Sequence, residues 1–118
     1  MLKPEVLRKQ KDFTSLYQKG KSVGERCLVL IFRENGLSYN RRAFLASKKV
    51  GKSVQRNRAR RLLRESYRSI ENQIKPGYDL LFIARKNIVD LKCADVKKSM
   101  EAALKRAKLF QKMPGEGK

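Results

Sequence analysis

Residues 53–73 of this chain read SVQRNRARRLLRESYRSIENQ, and the fold is built around this stretch. Apolar side chains recur along it at helical spacing, and Lys-Pro-Gly at residues 75–77 stops the pattern, so a helix is predicted. Residues 42–47 before it and residues 78–84 after it are short apolar runs with the length of strands. The sequence therefore predicts a strand, a helix and a strand in succession.

Two further helices and a tail are predicted towards the ends of the chain. Residues 9–19 show helical spacing of apolar side chains, and Gly20 then suits a helix stop. Residues 94–111 carry a second apolar stripe with the helical period. Residues 113–118 are polar and contain Pro and Gly, which predicts a frayed tail.

The remaining strands are expected to pair locally. Residues 27–33 read CLVLIFR, an apolar and partly β-branched run that predicts a strand buried on both faces. Residues 21–24 predict a short strand or a turn. The Asn-Gly pair within residues 34–41 tolerates positive φ, so this segment is predicted to join the second and third strands as an antiparallel hairpin.

The element order α-β-β-β-α-β-α predicts an α+β fold. Strands that pair locally and then connect through a helix favour a two-layer α/β sandwich, with helices against a sheet. A length of 118 residues suits one domain, which is placed at residues 1–112, ahead of the tail.

Positive charge is the dominant feature of the composition. The chain has 30 Lys and Arg against 11 Asp and Glu, a formal net charge of +19. A compact domain with so much like charge repels itself, so a polyanionic partner is expected to neutralise it. Nucleic acid, an anionic membrane surface and an acidic protein all meet this requirement.

The use of His and Cys argues against a zinc site. The sequence has no His, and Cys27 and Cys93 lie far apart without a Cys-x-x-Cys motif. We expect two reduced thiols and no metal bound by the protein. The first residues lack the apolar core of a signal peptide, and no run reaches the ~20 apolar residues of a membrane span. A cytoplasmic location is therefore expected.

A helical wheel places the basic side chains of residues 53–73 on one side of the helix. This side, here named the arginine face, contains Asn57, Arg60, Arg61, Arg64 and Arg68. The opposite side, which is expected to dock on the sheet, contains Ala59, Leu62, Leu63, Ser66 and Ile70.

The arginine face differs from an ordinary solvated helix face. A solvated face usually mixes the two signs of charge, whereas no acidic residue lies on this one. The guanidinium group of Arg matches phosphate oxygens in a bidentate manner. Lys48 and Lys49 precede the helix, whose first N–H groups also attract anions. The residues therefore predict a phosphate-binding surface.

Three other classes of protein could also have a strongly basic composition. An autonomous nuclease is disfavoured, because the sequence lacks His and its Asp residues fall on different elements without an obvious pair. A ribosomal or DNA-binding structural protein fits the composition equally well. A membrane-active protein would need unpaired apolar helix faces, whereas those here are expected to pack on a sheet.

Residues 48–64 read KKVGKSVQRNRARRLLR and closely resemble the signature of the protein subunit of bacterial ribonuclease P. Its core is a Gly, a small residue and Val, followed by Arg-Asn-Arg and by basic residues at helical spacing. Asp12-Phe13 in the first helix and residues 83–86 (Ile-Ala-Arg-Lys) after the last strand add to the resemblance, which spans roughly residues 5–110.

The resemblance implies a small protein partner of a large catalytic RNA. The holoenzyme of that family removes the 5′ leader from precursor transfer RNA, and the RNA subunit with its Mg²⁺ ions carries the catalysis. The implied partners are ribonuclease P RNA and precursor transfer RNA, with no membrane, no DNA and no cofactor bound by the protein itself. The implied fold is ribosomal-protein-S5-domain-2-like, with a left-handed β-α-β crossover in place of the usual right-handed one.

The resemblance also assigns site residues, none of them catalytic. The residues expected to contact the catalytic RNA are Lys48, Lys49, Arg56, Asn57, Arg58, Arg60, Arg61, Arg64 and Arg68. The residues expected to line a cleft for the leader, here named the leader cleft, are Phe13, Tyr17 and Ile31. Aromatic side chains suit such a cleft, because stacking on bases tolerates any sequence.

The residues leave two alternatives open for the leader cleft. Phe13 and Tyr17 could instead be ordinary core residues. The family often has an aromatic residue where Ile31 stands, and the adjacent Phe32 should point to the other face of the sheet. Either Ile31 forms an apolar wall of the cleft, or the alignment is shifted by one residue.

Overall fold

The computed structural model of the chain describes residues 6–110. Within this range the helices are α1 (Gln10–Lys19), α2 (Ser53–Ile70) and α3 (Cys93–Arg106). The strands are β1 (Lys21–Gly24), β2 (Leu28–Glu34), β3 (Arg41–Leu45) and β4 (Tyr78–Ala84). Short 3₁₀ helices follow α2 at Glu71–Gln73 and β4 at Lys86–Asp90. The predicted tail at residues 113–118 lies outside the described residues.

The strands form one mixed sheet in the order β1-β2-β4-β3. β2 pairs with β1 and β4 in antiparallel fashion, whereas β3 and β4 are parallel and are connected through α2. The predicted α+β fold and its element order are confirmed, and the neighbouring parallel strands form the expected β-α-β unit. The hand of this crossover stays a prediction.

The predicted antiparallel hairpin between the second and third strands is wrong. β4 lies between β2 and β3, so residues 35–40 cross over a strand that comes later in the chain. β4 is largely buried, from Asp79 to Phe82 and again at Ala84, which suits a central position. β3 begins with Arg41 and Arg42, whose charged groups are easier to accommodate on an edge strand.

The prediction that residues 27–33 are buried on both faces is also wrong. In β2, Leu28, Leu30 and Phe32 are buried, whereas Val29 and Ile31 are only half-buried. The buried row faces α2 and α3, and the half-buried row faces α1. Because α1 is only 10 residues long, it leaves part of its sheet face open.

The core lies on both sides of the sheet. The larger cluster joins α2 and α3 to the sheet through residues such as Leu63, Met100 and Phe82. The smaller cluster packs Leu16 of α1 with Leu7, Ala43 and Leu81, and Phe13 and Ile31 lie against it. Phe32 belongs to the larger cluster, as its predicted orientation requires.

A charged cluster ties α1 to the sheet. Asp79 is 7% exposed, and its carboxylate accepts hydrogen bonds from Arg41 Nε at 2.8 Å and Arg41 Nη2 at 2.7 Å. Asn35 Nδ2 donates to the same carboxylate at 3.0 Å. Arg41 Nη1 also lies 3.5 Å from Asp12 Oδ2 in the first turn of α1. The hydrogen bonds to Asp79 raise the pKa of Arg41, so the cation remains charged.

Two predictions about the ends of helices need small corrections. The helix predicted over residues 53–73 ends at Ile70, and a 3₁₀ helix continues it to Gln73. The helix predicted over residues 94–111 begins at Cys93 and ends at Arg106. Within residues 6–110, no helix is long and apolar enough to cross a membrane.

Candidate nucleic-acid interface

The connection between β3 and α2 depends on Gly51. Its φ is +146°, a conformation that side chains with a Cβ rarely adopt, and a Cβ there would overlap Gln55 Oε1. That oxygen instead accepts a hydrogen bond from the backbone N–H of Lys52 at 2.7 Å, which caps the first turn of α2. Lys48 and Lys49 are exposed in the turn just before. The Gly-Lys-Ser-Val-Gln run thus sets where α2 begins.

The arginine face of α2 points to solvent. Asn57, Arg61, Arg64 and Arg68 are exposed, and Arg60 is half-buried. The opposite side of α2 is buried in the core and consists of Ala59, Leu62, Leu63, Ser66, Tyr67 and Ile70. The predicted division of this helix into a core side and an arginine face is therefore confirmed, with Tyr67 as an addition to the core side.

Short-range hydrogen bonds orient the guanidinium groups near the start of α2. Arg60 Nη2 donates to Asn57 Oδ1, and Arg56 Nη2 donates to Ser53 Oγ at 3.2 Å. Arg56 Nε is buried and has no hydrogen-bond partner among the described residues. These side chains are held by neutral partners, so their positive charge is not cancelled.

Within residues 6–110, the cations of α2 form no ion pairs with acidic side chains. The ion pairs found within residues 6–110 involve Arg41 and Arg106, and none of them involves an arginine of α2. A shallow groove on this surface is lined by Val54, Asn57, Arg58, Arg60, Arg61 and Arg64. Val54 is 79% exposed, which adds an apolar spot to a basic surface. Such a surface can bind a phosphate backbone through charge-assisted hydrogen bonds.

The residues of the leader cleft lie on the α1 side of the sheet. Phe13 and Ile31 are half-buried and pack against the same cluster around Leu16. Tyr17 is 56% exposed, one helix position beyond Leu16. The structure therefore brings Phe13 and Ile31 together and leaves Tyr17 at the solvent side of α1.

The same sheet face continues beyond α1 as an open groove, here named the sheet-end groove. Its apolar floor contains Val29 and Ile83, which are paired across β2 and β4. Its polar and basic rim is formed by Arg26, Ser47, Lys49, Arg85, Lys86 and Asn87. The volume of the groove is about 860 Å³. An apolar floor with a basic rim can hold bases and phosphates at the same time.

The loops at this end of the sheet are fixed by hydrogen bonds. Asn87 Nδ2 donates to the carbonyl oxygen of Arg26 at 3.0 Å. The backbone N–H of Arg85 donates to the carbonyl oxygen of Cys27 at 2.8 Å. Within residues 6–110, no three His, Cys, Asp or Glu side chains cluster as a metal site would require.

Comparison with known proteins places this surface in context. The Ribonuclease P family model matches residues 1–108. The chain belongs to the ribonuclease P protein family. The ribonuclease P protein component of Pelotomaculum thermopropionicum is 44% identical over 105 residues, which cover 89% of this chain and 94% of that protein. That of Clostridium botulinum (strain Loch Maree / Type A3) is 43% identical over 110 residues, which cover 92% of this chain and 99% of that protein.

Solved structures of ribonuclease P proteins share the fold. The Staphylococcus aureus RNase P protein has a TM-score of 0.82 and 33% identity, over 92% of this chain and 100% of that one. The RNase P protein from Thermotoga maritima has a TM-score of 0.78 and 32% identity, over 86% and 96% of the two chains. The family recognised from residues 48–64 is therefore confirmed.

The structure distributes the ribonuclease P signature residues over more than one surface. Asn57, Arg58, Arg60, Arg61 and Arg64 surround the shallow groove on α2. Lys49 lines the sheet-end groove, so it lies next to the sheet face that α1 partly covers. Arg64 and Arg68 line a pocket that also includes Phe13. The helix surface and the leader cleft are thus neighbouring parts of one basic region.

Several residues of this surface could not be predicted from the sequence. Arg26, Ser47 and Asn87 belong to no motif, and only the fold brings them to the sheet-end groove. Arg85 and Lys86 were visible as a basic run that supports the ribonuclease P resemblance, but carried no assigned role. Val29 and Ile31 belong to a continuous apolar run, so nothing in their sequence shows that this sheet face stays open past α1.

Proposed function

We propose that this chain is the protein partner of a catalytic RNA that removes the 5′ leader of precursor transfer RNA. Membership of the ribonuclease P protein family supports a role within that ribonucleoprotein. The observation that carries the proposal is the arginine face, a helix surface whose cations have no acidic partner in the described chain. The RNA and its Mg²⁺ ions supply the chemistry, and the protein supplies binding.

The arginine face is the docking surface for the catalytic RNA. Its side chains neutralise phosphates and release the cations condensed on the RNA, so binding weakens steeply as salt increases. Arg56 and Arg60 are already oriented by Ser53 and Asn57, which lowers the entropy lost when a phosphate binds. The neighbouring Val54 offers apolar contact to a sugar or a base.

The leader passes over the α1 side of the sheet as a single strand. Phe13 and Ile31 offer apolar surface in the leader cleft, and the exposed Tyr17 offers a ring on which a base can stack. The sheet-end groove extends this path with Val29 and Ile83 as a floor and basic side chains at the rim. Stacking and phosphate contacts in the leader cleft and the sheet-end groove do not depend on which base is present, which suits leaders of differing sequence.

Binding selectivity tests the proposal. We expect the chain to bind ribonuclease P RNA far more tightly than random duplex DNA of equal length, measured in competition at one fixed salt concentration. Once the holoenzyme is assembled, it should bind precursor transfer RNA more tightly than mature transfer RNA. Equal affinity for RNA and duplex DNA would contradict the proposal and favour a general nucleic-acid-binding protein.

A further inference from the structure

The pocket that Arg64 and Arg68 share with Phe13 lies at the outer edge of β3, beside the bridge between Val6 and Arg42, and is here named the edge pocket. Phe13 reaches it from the α1 side of the sheet, and Phe44 reaches it from the α2 side. Both rings are half-buried, so each presents a surface to the pocket. The cavity volume is about 440 Å³, which is in the range of sites for small ligands.

One wall of the edge pocket is basic and is formed by Arg64 and Arg68. These two exposed side chains are one turn apart on α2, and neither forms an ion pair within residues 6–110. Their spacing suits the phosphate of a nucleotide whose base enters the pocket.

Two further charged side chains line the edge pocket: Arg42 of β3, whose guanidinium lies 5.5 Å from the Tyr67 ring centroid, and Glu71, just after α2. Glu71 follows Tyr67 by four residues at the end of α2, and both side chains line the edge pocket. Tyr67 is 4% exposed and lies edge-on to Phe44 at 5.7 Å between ring centroids. The Glu71 carboxylate therefore lies in the same cavity as this aromatic floor and the three cations Arg42, Arg64 and Arg68, and it is the one acidic group among the described residues that line it.

We propose that the edge pocket binds one unpaired guanosine nucleotide of RNA. The base packs against Phe13 and Phe44, its N1–H and N2–H groups donate to the Glu71 carboxylate, and its phosphate binds Arg64 and Arg68. A carboxylate can only accept hydrogen bonds, and guanine alone among the four bases carries two adjacent donors on its Watson–Crick edge. Adenine places the acceptor N1 at that position, so it is disfavoured.

The nucleotide must be unpaired, because Glu71 uses the edge that a paired guanine would present to cytosine. The inference rests on the proposed function, because it assumes that the chain binds RNA within a ribonucleoprotein. The unpaired guanosine comes either from the catalytic RNA or from the leader, and both present the same chemistry to the pocket. The chemistry of recognition itself can be tested on the free protein.

Binding of guanosine monophosphate (GMP) and of adenosine monophosphate (AMP) to the free full-length chain is measured by NMR titration. Chemical shifts of the Phe44 and Tyr67 ring protons report binding in the edge pocket and separate it from phosphate binding elsewhere on α2. We expect GMP to bind roughly fivefold more tightly than AMP, as one additional charge-assisted hydrogen bond at a partly exposed site implies. Equal affinities, or shifts confined to the exposed part of the arginine face, would overturn the proposal.

The substitution Glu71→Gln separates base recognition from charge. Gln can donate as well as accept, so the GMP preference should fall to within about twofold. Glu65→Gln is the matched control, since Glu65 is exposed on α2 and does not line the edge pocket. This control should keep the preference of the wild type. A loss of preference in both variants would show that net charge, not Glu71, sets the selectivity.

The source of the guanosine is identified in the assembled particle. Protection of Phe44 from hydroxyl radicals is measured in three samples. These are the chain alone, the chain with ribonuclease P RNA, and the chain with both ribonuclease P RNA and precursor transfer RNA. Protection by the RNA subunit alone assigns the nucleotide to the catalytic RNA, and protection only with the precursor assigns it to the leader. No protection in either complex would overturn the site, even if leader cleavage is stimulated and the proposed function holds.

Discussion

Phe13 illustrates how a single side chain contributes to both the core and a candidate binding surface. It packs against the cluster around Leu16 and Leu81, yet it remains half-buried and borders the edge pocket. The two interpretations of Phe13 from the sequence, core packing and leader binding, are therefore compatible. Their contributions can be separated by experiment.

Phe13→Ala should weaken precursor transfer RNA binding by the holoenzyme more than mature transfer RNA binding. The expected loss for the precursor is about 1 to 3 kcal/mol, the value of one base stacked on an aromatic ring. Phe110→Ala is the matched control, because Phe110 is also half-buried but packs on the α2–α3 side of the sheet. Equal losses for both transfer RNAs, together with a lower melting temperature, would assign Phe13 to the core alone.

Tyr67 gives the protein a specific dependence on alkaline pH. Burial raises its pKa to about 12, whereas an unfolded tyrosine titrates near 10. The folded state therefore holds the proton more tightly, so its stability falls as pH rises from about 10 towards about 12. Over that window the free energy of unfolding should lose up to about 2 kcal/mol through this residue.

The alkaline effect is measured by urea unfolding between pH 9 and pH 12. Tyr67→Phe should lose less stability than the wild type over this range, because it has no phenol to deprotonate. Tyr17→Phe is the control, since Tyr17 is 56% exposed and should follow the wild type. Identical pH slopes for Tyr67→Phe and the wild type would contradict the burial effect.

At the scale of elements, α2 carries the main electrostatic prediction. Replacing Arg60 and Arg64 with Ala should weaken binding to ribonuclease P RNA and reduce the salt dependence of the binding constant by about one unit per lost phosphate contact. Lys98→Ala with Lys105→Ala on α3 removes the same charge from exposed positions of another helix. An unchanged salt slope for the α2 variant, or an equal change in the α3 control, would refute the arginine face as the docking surface.

The charged cluster around Asp79 adds to the apolar packing of Leu16 that attaches α1 to the sheet. Asp79→Asn should cost about 3 kcal/mol of unfolding free energy, because it leaves the partly buried Arg41 without its bidentate partner. Asp12→Asn should cost only about 1 kcal/mol, since that pair is longer and more exposed. Asp90→Asn, at an exposed position, serves as the control and should leave stability unchanged. A cost for Asp12→Asn equal to that for Asp79→Asn would contradict this ranking.

Considering the whole molecule, the features that depend on local spacing could be predicted from the sequence. The two sides of α2 follow from residues three and four apart, and the family resemblance follows from one continuous run at residues 48–64. The orientation of Ile31 and Phe32 follows from the two-residue period of a strand. These predictions needed no knowledge of how distant segments meet.

The features that depend on distant segments could not be predicted. Strand order is decided by competition for the sheet centre, which the buried β4 occupies in place of a local β2–β3 hairpin. The sheet-end groove gathers Arg26, Lys49 and Arg85 from three separate connections. The edge pocket likewise brings Phe13 and Glu71 together from distant positions. No linear pattern marks such sites.

Cleavage of precursor transfer RNA at low Mg²⁺ tests the central claim most directly. Ribonuclease P RNA is assayed alone, with the wild-type chain, and with the chain carrying Arg60→Ala and Arg64→Ala. We predict that the wild-type chain restores 5′ leader removal at Mg²⁺ concentrations where the RNA alone is inactive, and that the double variant needs a higher protein concentration to do so. Absence of stimulation by the wild-type chain would contradict the account.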